Sequence, residues 1–149
     1  MFRGRFEHSL DDKGRIAIPA RFRDIILDGN ERASLVITTT DHCLAAYRLT
    51  DWEILEKKIA TLSQFDPKVS AFKRVIIGCA QECEFDRAGR ILIPQDLRRD
   101  AGIERDCVVV GQINKIEIWS DGAWKKMLAE SSDQFSHIAQ SLFQAGVEI

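Results

Sequence analysis

The apolar positions change period along the chain, and the changes predict its elements. Ile116 and Ile118 alternate with Glu117, as in a strand with one buried face. Short apolar segments predict strands at Arg5–Leu10, Arg15–Ile18, Leu35–Thr39 and Cys43–Arg48, and again at Gln81–Phe85, Arg90–Ile93, Cys107–Ile113 and Lys115–Trp119. Pro19 and Pro94 fit the first turn of a short helix, predicted over Pro19–Ile26 and Pro94–Ala101. Thr50-Asp51-Trp52-Glu53 reads as a capping box. Trp52, Leu55, Ile59 and Leu62 then follow at helical spacing as one apolar stripe. Asp66-Pro67 opens a further helix to about Ile77. Near the C-terminus, helices are expected over Trp124–Glu130 and roughly Asp133–Phe143, the second with Phe135, Ile138, Leu142 and Phe143 on one side.

The pattern occurs twice. Asp11-Asp12-Lys13-Gly14-Arg15-Ile16-Ala17-Ile18-Pro19 returns 75 residues later as Asp86-Arg87-Ala88-Gly89-Arg90-Ile91-Leu92-Ile93-Pro94, and Arg23 matches Arg98 at the same shift. Downstream, Leu35-Val36-Ile37 parallels Val108-Val109-Val110, and Trp52 parallels Trp124. Two homologous halves are therefore expected, residues 1–77 and 78–149. A unit of this size buries a small share of its surface, so two such units gain by sharing a core. The expected fold is α+β: two tandem hairpin-and-helix repeats about a pseudo-two-fold axis, forming a β-barrel-like body with outer helices.

Composition narrows the function classes. The hydrophobic share of 45% supports a packed core, and the charged share of 30% supports solubility. The charged start Met1-Phe2-Arg3-Gly4-Arg5 lacks an apolar segment behind it, and no run approaches the roughly 18 apolar residues of a membrane span. Neither export nor a membrane partner is expected. Cys43, Cys79, Cys83 and Cys107 then read as reduced thiols and small core residues. His8, Cys79 and Cys83 can be imagined around a metal, but the short paired cysteine spacings of zinc sites are missing, so no metal and no cofactor is expected. No Gly-x-Ser-x-Gly, phosphate loop, dinucleotide fingerprint or His-Glu-x-x-His occurs. Asp11 and Asp86 lie in turns beside arginines, which favours ionised carboxylates over proton donors. An enzyme is not expected.

The net charge is −2, but residues 1–23 hold six bases (Arg3, Arg5, Lys13, Arg15, Arg21, Arg23) against Glu7, Asp11 and Asp12. A basic N-terminal face on an acidic body suits an anionic partner better than the overall charge suggests.

Met1-Phe2-Arg3-Gly4, Asp12-Lys13-Gly14-Arg15, Ile18-Pro19, Gly89-Arg90-Ile91-Leu92-Ile93-Pro94, and Val110-Gly111 with Glu117-Ile118-Trp119 together resemble the MraZ family, as do the two Asp-x-x-x-Arg motifs, Asp11 to Arg15 and Asp86 to Arg90. The resemblance runs to about Leu128. It implies an AbrB-like swapped-hairpin fold and a cytoplasmic, nucleoid-associated bacterial transcription regulator. The implied partners are double-stranded DNA, as G-rich direct repeats in the promoter of its own division and cell-wall operon, and further copies of itself in a ring of octamer to dodecamer size.

G-rich recognition calls for Arg or Lys donating to guanine O6 and N7, from an element narrow enough for the major groove. Lys13 and Arg15 flank the first turn and are the expected base-edge contacts. Arg3 is an expected phosphate contact; Arg5, on the same pleat, and Arg90 are possible further contacts. Asp11, Gly14, Asp86 and Gly89 are expected to build the turns, with Asp11 accepting backbone N–H groups and Gly14 and Gly89 supplying positive φ. Arg15 could equally pair with Asp11 or Asp12. In the second half Ala88 replaces Lys13, and Gly78 and Ala80 replace Arg3 and Arg5, so the first hairpin is expected to read DNA and the second to support it. Arg21, Arg23, Arg98 and Arg99 read as the solvated face of short helices. The rival reading is an AbrB-like antitoxin or a protein-interaction module using the C-terminal apolar stripe.

Overall fold

The two halves exchange their first strands. The computed structural model describes residues 1–28 and 33–149. Strand β1 (Arg5–Ser9) pairs antiparallel with β7 (Asp106–Gln112) of the second half, with Arg5 opposite Val110 and Ser9 opposite Asp106. Its counterpart β5 (Gln81–Glu84) pairs antiparallel with β3 (Ser34–Thr39) of the first half. The hairpins β3–β4 (β4, Leu44–Arg48) and β7–β8 (β8, Lys115–Ser120) meet at a β4–β8 seam. The resulting order, β1-β7-β8-β4-β3-β5, maps onto itself when the halves are exchanged. A pseudo-two-fold axis therefore passes between β8 and β4.

The second strands leave this sheet and form a layer of their own. Strand β2 (Arg15–Ala17) pairs antiparallel with β6 (Arg90–Leu92), Ile16 opposite Ile91. The strands flanking each turn thus make no ladder with one another: each pairs across to the other half. This is the swapped form of the expected hairpins. The pleat explains why the ribbon stays down. Ile16 and Ile91 are fully buried, while Ala17 and Leu92 are exposed and Arg15 and Arg90 half-buried on the outer face.

Beneath the ribbon lies the main core. Ile16, Ile18, Ile91 and Ile93 pack with Leu35, Ile37, Val109, Ile116 and Ile118 of the sheet. Helix α1 (Ala20–Leu27) adds Phe22 and Ile26, and α4 (Gln95–Asp100) adds Leu97. Phe22 makes edge-to-face pairs with both Phe2 and Phe6, at 5.4 and 5.2 Å between ring centroids. Each of these large side chains stabilises the fold by about 1.5–3 kcal/mol through burial. Most come in pairs from the two halves, so neither half is complete alone.

The other face of the sheet carries α2 (Leu49–Ala60), α3 (Pro67–Ile76) and α5 (Asp121–Ser141). Here Cys43, Val108, Val110 and Trp119 form a second cluster under Trp124 and Met127 of α5. Trp52 of α2 lies against Tyr47, and the hydroxyl of buried Thr38 donates to the Ile76 carbonyl at the end of α3.

Three local expectations change. Pro19 and Pro94 stand at the N-cap rather than inside the helix; the Pro19 carbonyl accepts from Phe22 and Arg23 N–H. Thr50 does not cap α2, which begins at Leu49 directly out of β4. Its first turn is fastened instead by Arg48 Nε donating to Asp51 Oδ2 at 2.6 Å. The two expected C-terminal helices are one, Asp121–Ser141, capped by Ser120 Oγ accepting from Ala123 N–H. The intervening Glu130-Ser131-Ser132-Asp133 holds no Gly or Pro, and serine costs a helix only a few tenths of a kcal/mol. In the first half, Asp66-Pro67 does restart the helix, with Asp66 Oδ1 accepting from Lys68 N–H.

Candidate nucleic-acid interface

Each turn that feeds the ribbon is built by its aspartate. Asp11 Oδ1 accepts from the backbone N–H groups of Lys13 and Arg15, at 3.0 and 2.9 Å, while Oδ2 accepts from Arg15 Nε at 2.6 Å. The Asp11 N–H donates to the Arg15 carbonyl, and Gly14 N–H donates to the Asp11 carbonyl. Gly14 adopts φ of 83°, the left-handed region that a side chain disfavours. The second turn repeats every bond. Asp86 Oδ1 accepts from Ala88 and Arg90 N–H, Oδ2 accepts from Arg90 Nε at 2.9 Å, and Gly89 has φ of 73°. The backbone N–H of Arg15, together with its guanidinium and the Lys13 N–H, holds the Asp11 carboxyl down at about 2; the equivalent groups lower Asp86.

These contacts fix both arginines without using all their donors. Arg15 meets Asp11 through Nε, and among the described residues no hydrogen bond occupies its two terminal nitrogens. The planar fork therefore keeps two N–H edges for a bidentate acceptor. Arg90 is held more closely: besides its Nε bond to Asp86, its Nη1 lies 3.6 Å from Asp11 Oδ2. That contact brings the two Asp-x-x-x-Arg motifs together across the pseudo-two-fold axis. Lys13 projects from the first turn, exposed. Arg15 and Arg90 lie on the outer face of the ribbon with exposed Leu92, the β6 residue opposite Arg15.

The other expected contacts lie elsewhere. Strand β1, about 17 Å long, separates Arg3 from the Asp11 turn. Gly4 has φ 106°, yet the pairing with the second half keeps one register through it, Phe2 opposite Ile113 and Arg5 opposite Val110. Arg5 stands opposite Val110 and lies 5.9 Å from the ring centroid of Trp124, on the α5 side of the sheet, away from the ribbon. Phe2 and Phe6 both turn to Phe22 in the core, so Arg3 and Arg5 share the opposite face of the strand, turned away from the ribbon.

Arg23 and Arg98 depart from the sequence reading in the opposite direction. Both are half-buried rather than solvated. Arg98 packs on Gly14 and Arg23 on Gly89 so closely that a Cβ on either glycine would collide with the guanidinium. A signal for this existed in the repeat. Arg23 and Arg98 recur at the 75-residue shift, whereas Arg21 is answered by Asp96 and Arg99 by Asp24.

The site offers hydrogen-bond donors: the terminal nitrogens of Arg15 and the ammonium of exposed Lys13. Burial pushes the Cys43, Cys83 and Cys107 thiols up to about 11, which keeps them as inert core groups. Among the described residues no three His, Cys, Asp or Glu side chains gather as metal ligands, and no helix is long and apolar enough to cross a membrane.

Comparison with known proteins agrees with the repeat. The family model described as "MraZ protein, putative antitoxin-like" matches twice, over residues 1–75 and 76–146. A protein of Pediococcus pentosaceus named "Transcriptional regulator MraZ" is 41% identical over 147 residues, covering 99% of this chain and all of its own length. Proteins of the same name from Histophilus somni (46% over 144 residues, 91% of this chain and 93% of the relative) and Haemophilus influenzae (46% over 133 residues, 87% of each) are similar. Two copies of one family model side by side, relatives that match over 87% or more of both chains, and a fold in which each copy completes the other place this chain in the MraZ family.

Proposed function

We propose that this chain is a cytoplasmic, nucleoid-associated transcription regulator that binds double-stranded DNA through the outer face of the β2–β6 ribbon and the turn Asp11–Arg15. The observation that carries the reading is the aspartate-anchored Arg15, which presents two free guanidinium N–H edges beside exposed Lys13. A two-stranded ribbon is narrow enough for a major groove, and a fixed guanidinium loses little entropy on meeting guanine O6 and N7. The names of the relatives support regulation of transcription. In this proposal Lys13 and Arg15 donate to base edges, Arg90 flanks them, and Arg3 meets a phosphate at the far end of β1. No contact is placed on Arg5, which faces Trp124. Asp11, Gly14, Asp86 and Gly89 set the shape of the turns.

The target we propose is a set of G-rich direct repeats in the promoter of the chain's own division and cell-wall operon, engaged by a homo-oligomeric ring. Neighbours in a ring are related by one rotation and present the same face in the same sense, which suits direct repeats rather than palindromes. Weak contacts on consecutive repeats then add through effective concentration. Exposed Phe65, Phe135, Ile138 and Phe143 supply apolar surface for such assembly.

Fluorescence anisotropy against a G-rich repeat duplex and a shuffled duplex, at two salt concentrations, tests the reading. Arg15→Ala is measured beside the parent after light scattering has matched their assembly. Tight, salt-sensitive binding to the repeats alone, weakened about tenfold or more by Arg15→Ala, is expected. Equal weak binding to both duplexes and an indifferent Arg15→Ala would overturn it.

A further inference from the structure

We infer that Arg98 and Arg23 are crossed positioning residues: Arg98 of the second half sets the turn that presents Lys13 and Arg15, and Arg23 of the first half sets the turn that presents Arg90. The inference rests on the DNA-binding reading for its functional consequence, but not for its structural one.

The argument starts from the two turn glycines. The open face of Gly14 is covered by the Arg98 guanidinium, and that of Gly89 by the Arg23 guanidinium. Arg98 is itself fixed, because its Nε donates to the Ile93 carbonyl at 3.0 Å. The N–H of the same Ile93 donates to the Gly14 carbonyl at 3.1 Å. Arg98 and the Ile93 backbone thus close on Gly14 from two sides, like a clasp. The mirror arrangement follows the pseudo-two-fold axis: Ile18 N–H donates to the Gly89 carbonyl at 3.3 Å, and Arg23 lies over Gly89. One bond differs. Arg23 Nε is buried without a hydrogen-bond partner among the described residues, so the clasp on the second turn is the looser one.

Gly14 lies between Lys13 and Arg15, so any shift of its peptide moves both donors. A misplacement of about 1 Å is enough to lose a bidentate bond, since N–H···O distances span only about 2.7–3.2 Å. A planar guanidinium can lie flat on a glycine and donate in its own plane; an ammonium cannot. The two halves are then not a reader and an inert support. The support of each reading turn is a side chain of the opposite half.

Amide hydrogen exchange tests the structural part without DNA. Six amides report: Asp11, Gly14 and Arg15 in one turn, and Asp86, Gly89 and Arg90 in the other. Arg98→Ala should speed exchange in the first set about tenfold while sparing the second, and Arg23→Ala should do the reverse. Arg98→Lys should not restore protection. Exchange that rises in the variant's own half, that leaves both sets unchanged, or that Lys restores in full, overturns the inference. A melting curve checks that each variant is folded; should Arg98→Ala unfold, Arg98→Lys carries the same measurement.

DNA binding tests the functional part by a double-mutant cycle on the repeat duplex. Arg98→Ala alone should weaken binding about tenfold and add little to Arg15→Ala, while adding in full to Arg90→Ala. The salt dependence of binding to the shuffled duplex should not change. Full additivity with Arg15→Ala, with a salt slope reduced by about one, would make Arg98 a direct phosphate contact instead. If the parent protein binds neither duplex, the DNA-binding reading fails, and the exchange experiment alone decides whether the crossed clasp exists.

Discussion

The turns Asp11–Arg15 and Asp86–Arg90 share a hydrogen-bond pattern but not a charge pattern. Both aspartates accept two backbone N–H groups and one arginine Nε, and both glycines have positive φ. Between these fixed points the first turn carries Asp12 and Lys13, the second Arg87 and Ala88. The aspartates differ as well. Asp11 faces its own Arg15 and also Arg90, whereas Asp86 faces Arg90 alone. Arg90 is thereby shared between two carboxylates, and Arg15 is held by one. Repetition has kept what shapes the backbone and released what a partner would feel, so the common part of the motif is architectural and the differing part is where function can diverge.

The common part should break most severely, and equally in both halves. Alanine at Gly14 or Gly89 meets two penalties: a left-handed backbone that disfavours a Cβ, and a guanidinium already in the space that the Cβ needs. Urea denaturation should show each substitution destabilising the protein by about 2 kcal/mol. A gain in stability at either glycine, as alanine gives where φ is compatible, would mean that the turn is not held in this form.

The aspartates should differ more gradually, along pH. Asp11 is held at about 2, below the ordinary carboxylate value, so it contributes stability that is fully present above about pH 4 and is lost as pH falls towards 2. Asp86 is lowered in the same direction. Asparagine at position 11 should therefore flatten the acid limb of the stability curve more than asparagine at position 86. Denaturation midpoints between pH 2 and 5 measure this directly; identical curves for both variants would remove the asymmetry between the turns.

Much of this comparison was legible in the amino-acid order. The 75-residue repeat gave the α+β class, the pseudo-two-fold plan and the strands, because alternating isoleucines and the Gly and Pro positions are local signals. Asp11 as the acceptor that builds the turn follows from the way aspartate mimics a backbone turn. Which strands pair is not local. Strand β1 could have laddered with β2 or with β7, and the choice depends on Phe6 and Leu10 reaching a core that both halves complete. The same non-locality concealed Arg98 and Arg23: on a short helix an arginine defaults to solvent, and only the exchanged strands bring the opposite glycine beneath it. The face taken by Arg5 is non-local as well: Phe6, its neighbour in the strand, packs on Phe22 in the shared core, and Arg5 is thereby turned to Trp124. Helix α5 runs unbroken through Glu130-Ser131-Ser132-Asp133, where the sequence suggests two helices, because nothing in that segment prevents helical backbone.

The smallest effect is expected at the one position where the turns differ by a single positive charge. Lys13 is exposed and has no part in the turn beyond its backbone N–H, so Lys13→Ala should leave stability unchanged. If Lys13 lies close enough to DNA to displace a counterion, the variant should lower the slope of log affinity against log salt by about 0.9. Ala88→Lys supplies the reciprocal experiment. Ala88 occupies the same place in a turn of the same shape, and a lysine there costs nothing in backbone strain. A slope raised by a similar amount would show that both turns lie against the duplex and that the second half lacks only the charge. An unchanged slope would show that the ribbon meets DNA tilted towards Asp11–Arg15, with Arg90 at the edge of the footprint. The turns would then be alike in shape but unlike in position, and the functional divergence between the halves would lie in how they are set against the duplex, not in the residues that they carry.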